Sequence, residues 1–454
     1  MRHALLLLIT FAAFGVCACA GFSRDGGFDT VADSARRHLA LDPIWPRTGP
    51  EKDKVAAQVA DLLKAPLSAA DAVQVALLNN RMLQADFEEL GISEADLVQA
   101  GRLPNPRFDL RHAGAGGQYD IEETLSFNVL ALLTMPYARD IEKRRFAQTQ
   151  DAVVLRIAQL AQETRETFYR AVAARESRDY QLKVRAAAET GATLAHRMVA
   201  AGNWNKLDAA REQSFYSDAV QSLTQAQLEE QSARERLLVL LGLSNEKAAG
   251  AELQLSGSLP ELPASAEQLP DVEQTVLQNR LDLQLMRAQI DELQQRLKLT
   301  RSTRFVNVLD LGATRVRQGG RDTPFERGYT VTLEVPVFDT GDARLKKSAA
   351  TYAQAVQRFS HAAIEARSQI RLAYAGYRAA YELALQQRDQ VLPLRKAITQ
   401  ENLLRYNASQ ISIFELLSDA RGQAASIDGY IQHLRDFWIA KSRLDGALLG
   451  NFAQ

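Results

Sequence analysis

Cysteine is almost missing from the 454 residues: Cys17 and Cys19 are the two, both at the very start. A disulfide framework in the body of the chain is therefore excluded. Neither sign of charge is in surplus, with 54 Lys and Arg against 55 Asp and Glu. No basic excess exists to hold a phosphate backbone, so nucleic acid is not an expected partner. Catalytic constellations are missing too. The six histidines (His3, His38, His112, His196, His361, His433) are scattered without a spacing such as H-E-x-x-H, and no G-x-S-x-G occurs. No catalytic residue, bound metal or cofactor is expected, and the chain does not read as an enzyme. Gly114-Ala115-Gly116-Gly117 has the glycines of a phosphate loop, yet it lies in a turn between strand-like runs rather than before a helix.

Long apolar runs are also missing. Leu5 to Phe14 is too short to cross about 30 Å of hydrocarbon, and with Arg2 before it and small residues after it the run reads as a secretory signal. Val16-Cys17-Ala18-Cys19 matches a bacterial lipobox, with Cys19 as the acylated first residue and Cys17 the weaker position. Several acyl chains on one cysteine anchor a protein stably where a single chain does not. Ala20, rather than Asp, follows and favours sorting to the outer membrane.

What the chain has in abundance is helix, interrupted twice in the same way. Tyr137 to Ala200, rich in Ala, Gln, Arg and Glu, contains neither Pro nor, before Gly191, any Gly. It breaks at Ala201-Gly202-Asn203-Trp204-Asn205-Lys206-Leu207-Asp208, and a shorter run continues to Leu241-Gly242. Downstream, a run from Asp342 to Tyr406 breaks at Asn407 to Leu417 and resumes to Leu449-Gly450. Asn80-Arg81 and Asn279-Arg280 stand 199 residues apart in similar contexts, and the two closing Leu-Gly pairs 208 apart. The spacing predicts a duplicated unit with a helix-turn-helix tip in each copy, far longer than the repeats of about 20 to 50 residues that build solenoids. Gly202 supplies positive φ for the first tip, whereas Ser409-Gln410 has to turn without glycine, so the tips are expected to differ in shape.

Ser68, with Asp71 three residues on, caps a helix predicted over Leu67 to Leu103, where Pro104 and Pro106 stop it. The period then falls to two. Arg107 to His112 and Thr124 to Val129 alternate polar and apolar residues, as does Tyr329 to Val335. Two hairpins are predicted, with Phe108, Leu110, Leu125, Phe127, Val129, Tyr329, Val331 and Leu333 on one face. Arg107, Asp109, Arg111, Thr124, Ser126, Asn128, Thr330, Thr332 and Glu334 occupy the other. An isolated hairpin is marginal in water, so these must pair further, and copies of the same chain would serve. The long run of Tyr137 to Ala200 spans about 95 Å, and the two shorter runs of the first repeat together about 110 Å, so short helices end to end match a long one. Pro393 is expected to kink the second long run.

In this order the helix opening LSAADAVQVALLNNR, the strand entry RLPNPRFDL, the strand exit VPVFDTGDARLKKSAA and the tips resemble the TolC-like outer-membrane efflux channels, over roughly Leu67 to Gly450. The first strand exit, Leu130 to Arg139, departs from the pattern: it is longer and more apolar than Asp339-Thr340-Gly341-Asp342-Ala343-Arg344. The resemblance implies a mainly α chain with a small β part. Three copies form a twelve-stranded β-barrel in the outer membrane, continued by a periplasmic α-helical barrel. It implies a passive duct coupled through a periplasmic adaptor to an inner-membrane pump, with outer-membrane lipid around the barrel. The domains expected are a signal at 1–18, a lipidated arm at 19–66 with one helix at Lys52 to Lys64, a first repeat at 67–243, a linker at 244–270, a second repeat at 271–450 and a tail at 451–454. Gly202, Asn203, Asp208, Ser409, Gln410, Glu415 and Asp419 at the tips are the expected gate and adaptor-docking residues, where acids ring a narrow mouth. Rival readings are a periplasmic adaptor, which would carry lipoyl-like segments absent here, and a coiled-coil lipoprotein, which leaves both hairpins without a purpose.

Overall fold

The computed structural model describes residues 21–243, 253–268, 280–320 and 322–450, with the Phe414 side chain left aside. Cys17 and Cys19, Asn279 and the tail lie outside the described residues. Two units are formed, and each takes residues from both halves of the chain.

One unit comprises 21–31, Phe87–Val153 and Leu283–Ala363. Its sheet is antiparallel with order β1-β2-β3-β4: β1 Arg107–Ala115, β2 Gln118–Asn128, β3 Leu309–Gly319 and β4 Glu326–Leu333. The hairpins of the two repeats thus join through β2 and β3, where the hydroxyls of Thr124 and Thr314 lie 2.9 Å apart. Gly116 and Gly117 both take positive φ between Ala115 and Gln118, the two-residue turn that matches strand twist. The apolar first strand exit resolves simply: β2 ends at Asn128, whose Oδ1 accepts from the amide of Ala131 at 2.6 Å and so opens the next helix at Val129 with no loop between. Val129, expected as strand, is the first residue of that helix because Asn128 caps it. The strands also run longer than their alternating cores, since Ala113, Gly114 and Ala115 pair in full.

The other unit comprises Ala32–Asp86, Val154–Asp282 and Ile364 to 450. The helices, in chain order, are α1 Phe28–Leu39, α2 Gly49–Leu62, α3 Ala69–Asn79, α4 Arg81–Ala100, α5 Val129–Ala200, α6 Lys206–Leu240, α7 Leu281–Thr303, α8 Asp342–Gln386, α9 Leu392–Asn407 and α10 Ile413–Leu449. Five of them, α1, α4, α5, α7 and α8, contribute residues to both units. Phe168, Val172, Leu237, Leu241, Tyr377 and Phe437 are buried in this second unit's core. Tyr169 stacks on Trp438 at 5.5 Å, and Phe437 meets Tyr377 at 5.6 Å.

Several expectations change here. The N-terminal arm holds two helices rather than one, with Val31 and Ala35 of α1 and Val55 and Val59 of α2 buried. The helix expected over Leu67 to Leu103 is two, α3 and α4. Asn80 leaves the helical region (φ −65°, ψ 121°), donates from Nδ2 to the Leu240 carbonyl at 2.9 Å and accepts the Leu83 amide on Oδ1 at 2.9 Å. It caps the second helix while bonding to the end of α6. The run from Asp342 to Tyr406 is also divided: a π-helical turn at Gln387–Val391 separates α8 from α9, and Pro393, which has no amide hydrogen, sits in the first turn that follows. The linker stretch over 253–268 is a strap in the second unit's core. Leu253, Leu255, Leu259 and Leu262 are buried, Leu67 donates to the Gln254 carbonyl, and Trp438 donates to Pro260.

Both repeats close in the same manner. Gly242 and Gly450 take φ of 66° and 87°; a Cβ on the first would overlap the Asn79 carbonyl and one on the second the Asp282 carboxylate. The helix ends therefore dock beside the Asn80-Arg81 pair in the first repeat and beside Arg280 and Asp282 in the second. The arginines differ: Arg81 is exposed, while Arg280 is 1% exposed and donates to Asp282, Gln369 and the Ala447 carbonyl.

Candidate functional site

The tips lie in the second unit, and their backbones match residue for residue. At the first, Gly202 takes φ 76° and the Asn203 amide donates to the Met198 carbonyl at 2.9 Å. At the second, Ser409 takes φ 58° and the Gln410 amide donates to the Arg405 carbonyl at 2.8 Å. Both are left-handed helix endings of the Schellman kind. The expected difference in shape is absent because Ser409 itself accepts the positive φ.

The next helices start alike. Asn205 Oδ1 accepts the Asp208 amide at 2.8 Å, and Nδ2 of Asn205 donates to the Asp208 carboxylate at 2.6 Å. Ser412 Oγ accepts the Glu415 amide, and the Glu415 carboxylate accepts the Ser412 amide at 3.2 Å. Asp208 and Glu415 are thus equivalent capping acids, seated where the helix dipole favours negative charge.

One turn deeper the symmetry breaks. Glu212 and Asp419 occupy equivalent places, four residues beyond the capping acids. Glu212 is 1% exposed and accepts from Arg421 at 2.5 Å, with the guanidinium 4.2 Å over the Phe215 ring. Asp419 Oδ2 is shut from solvent with no hydrogen-bond partner among the described residues. A pocket of about 190 Å³ opens beside this pair, lined by Tyr180, Ala187 and Gly191 of α5, Phe215 of α6, and Leu417 and Ala424 of α10. Sequence reasoning singled out Asp419 and missed Glu212 and Arg421. The offset of 207 residues that superposes Gly202 on Ser409 would have found Glu212. No periodic signal marks Arg421.

The sheet has two chemically distinct faces, as alternation predicts. Register puts Phe108, Leu125, Ala313 and Tyr329 in one cross-strand row, with Phe127, Leu311 and Val331 in the next and Leu309 with Leu333 beyond. All but Leu309 and Ala313 of these are large apolar side chains that stand exposed. The opposite face carries five carboxylates (Asp109, Asp120, Glu122, Asp310, Glu326) against two arginines (Arg107, Arg111) within the strands. In the described residues β1 and β4 each pair along one side only. No described helix is long and apolar enough to cross a membrane, and no described cluster of His, Cys, Asp and Glu has the makings of a metal site.

No family model matches the chain. Over 293 residues it is 26% identical to the cobalt-zinc-cadmium resistance protein CzcC of Cupriavidus metallidurans, a match covering 62% of this chain and 65% of that protein. The match thus spans a little under two thirds of the curated relative's length. Solved structures agree over far more of the chain. The outer-membrane channel OprN superposes with a TM-score of 0.70 at 18% identity, covering 86% of this chain and 92% of that one. The outer membrane protein VceC of Vibrio cholerae gives 0.67 at 14%, covering 90% and 100%. The open-state MtrE outer membrane channel of Neisseria gonorrhoeae gives 0.66 at 16%, covering 87% and 90%. The fold is that of the TolC-like outer-membrane channels, as the motifs of the sequence implied.

Proposed function

We propose that the protein is the outer-membrane channel of a tripartite efflux system, a passive duct joined through a periplasmic adaptor to an inner-membrane pump. The single observation that carries this reading is a four-stranded sheet with an apolar face, an acidic face and, among the described residues, an open edge on each side. In water such a sheet exposes apolar surface and unpaired strand edges. In a membrane, three copies closing edge to edge leave no edge and turn the apolar face to lipid. The tests are extraction from outer membranes, mass measurement in detergent and heat-modifiable gel migration. A stable trimer is expected, and a soluble monomer would refute the reading.

Its finer parts rest on separate observations. Lipid anchoring at Cys19 is supported by the lipobox; palmitate label should mark the wild type and not Cys19→Ser. A gate and adaptor-docking site at Gly202, Asn203, Asp208, Ser409, Gln410, Glu415 and Asp419 is supported by the matched tips, with Glu212 and Arg421 added as the bond that holds them. Divalent transition-metal cations are the cargo to test first, for two reasons: the curated relative is named for cobalt, zinc and cadmium resistance, and an acid-rich lumen favours cations electrostatically. Deletion should sensitise cells to those metals and to no wider set than loss of the partner pump does.

A further inference from the structure

The apolar face of the sheet does not stay apolar to its end. Beyond the row of Phe108, Leu125, Ala313 and Tyr329, toward the two hairpin turns, comes a row of Leu110, Glu123, Arg315 and Arg327. Next, about 7 Å further along the strands, lie His112, Ile121 and Arg317. Strand residues on this face beyond the apolar rows thus include three arginines and one carboxylate, while the opposite face of the same strands has the reverse balance. Arg315 is paired with Glu123, and its guanidinium lies 5.0 Å from the Phe325 ring. Arg317 lies 4.9 Å from the same ring. His112 and Tyr119 are in ring contact at 5.8 Å.

Arginine on a lipid-facing strand costs about 2–4 kcal/mol at the bilayer midplane and close to nothing at the interface. Register confines these three to the end of the sheet nearest the turns, past the apolar rows, where headgroups begin. Aromatic residues mark such a boundary in membrane barrels. A guanidinium offers a planar fork that binds phosphate through two parallel hydrogen bonds, and Phe325, set against two of these forks, helps fix their planes. We infer that Arg315, Arg317 and Arg327 form a lipid-phosphate site on the outer surface of the barrel, taking the phosphorylated sugar headgroup of the outer leaflet's lipopolysaccharide. The inference rests on the channel reading above, because it requires this face to meet lipid.

The experiment uses the full-length trimer purified from outer membranes in mild detergent, with bound lipid measured by mass spectrometry. Wild type should retain phosphorylated lipid A through washing. The Arg315→Gln/Arg317→Gln/Arg327→Gln protein should retain at least about tenfold less, and the milder Arg327→Gln, on the edge strand, an intermediate amount. In lipid nanodiscs, wild type should melt higher with phosphorylated than with dephosphorylated lipid A, and the triple variant should not distinguish them. Equal retention by a variant that is still trimeric would overturn the site. So would an equal thermal shift from inorganic phosphate alone, which would make it a simple anion site. Failure of the wild type to reach the outer membrane as a trimer would instead strike the channel reading itself.

Discussion

Glu212 on α6 accepts a hydrogen bond from Arg421 on α10 at 2.5 Å, joining the two tip regions across 209 residues of sequence. Glu212 is 1% exposed and the Arg421 side chain 30%. Arg421→Gln leaves a buried carboxylate without its cation, at a cost of about 2–3 kcal/mol, below the fully buried range because Arg421 is partly wet. The expected outcome is a looser tip and a higher single-channel conductance in planar bilayers. Glu212→Gln/Arg421→Gln should recover most of the thermal stability while keeping the high conductance.

Two glycines with similar backbones should respond very differently to a methyl group. At Gly242 the added Cβ collides with the Asn79 carbonyl, whereas at Gly202 nothing lies within 4 Å. Gly202→Ala should cost about 1 kcal/mol, the left-handed penalty alone. Gly242→Ala should cost about 3 kcal/mol or more, because the end of α6 must also move away from α3. Thermal melting of the purified protein measures both.

Burial raises the Glu176 carboxyl above its ordinary range, only partly offset by the hydrogen bond that it accepts from the Leu259 amide. A raised value means that the folded protein holds the proton more tightly than the unfolded chain. The ionised form therefore weakens the fold at neutral pH, and that loss disappears as pH falls through the raised value toward the ordinary one of about 4.3. Glu176→Gln should raise the thermal midpoint at pH 7 by about 1–3 °C. At a pH below the ordinary range, wild type and variant should melt together.

In the proposed channel the acidic face of the sheet should set ion preference. Glu122→Gln/Asp310→Asn removes two of its five strand carboxylates, and the reversal potential of single channels under a salt gradient should move toward the non-selective value. An unchanged potential would assign selectivity to the tips.

Much of this was legible in the sequence, for identifiable reasons. Alternation at Phe108, Leu110, Leu125 and Phe127 survives because all four stand exposed on one face of the sheet. The tips were legible as breaks between long helical runs. What escaped depends on contacts distant in sequence. Asn80 interrupts a run with good helical periodicity because it bonds to Leu240 and caps α4 at once. The positive φ of Ser409 was hidden because serine carries no propensity signal for it. Leu253 to Leu262 look like a spacer between repeats, since Gly257 and Pro260 interrupt the helical spacing of Leu255, Leu259 and Leu262.

That strap does more than tie one repeat to the next. Its leucines are buried and its backbone pairs Leu255 with Leu67, the residue at which the first repeat begins. Tyr381 donates to the Pro263 and Ala264 carbonyls and Trp438 to that of Pro260, and Phe437 is in ring contact with both side chains. The join between the repeats is thus a cover as well as a tether, and a protein cut at Gly257 into two co-expressed halves would carry that cover as two loose ends.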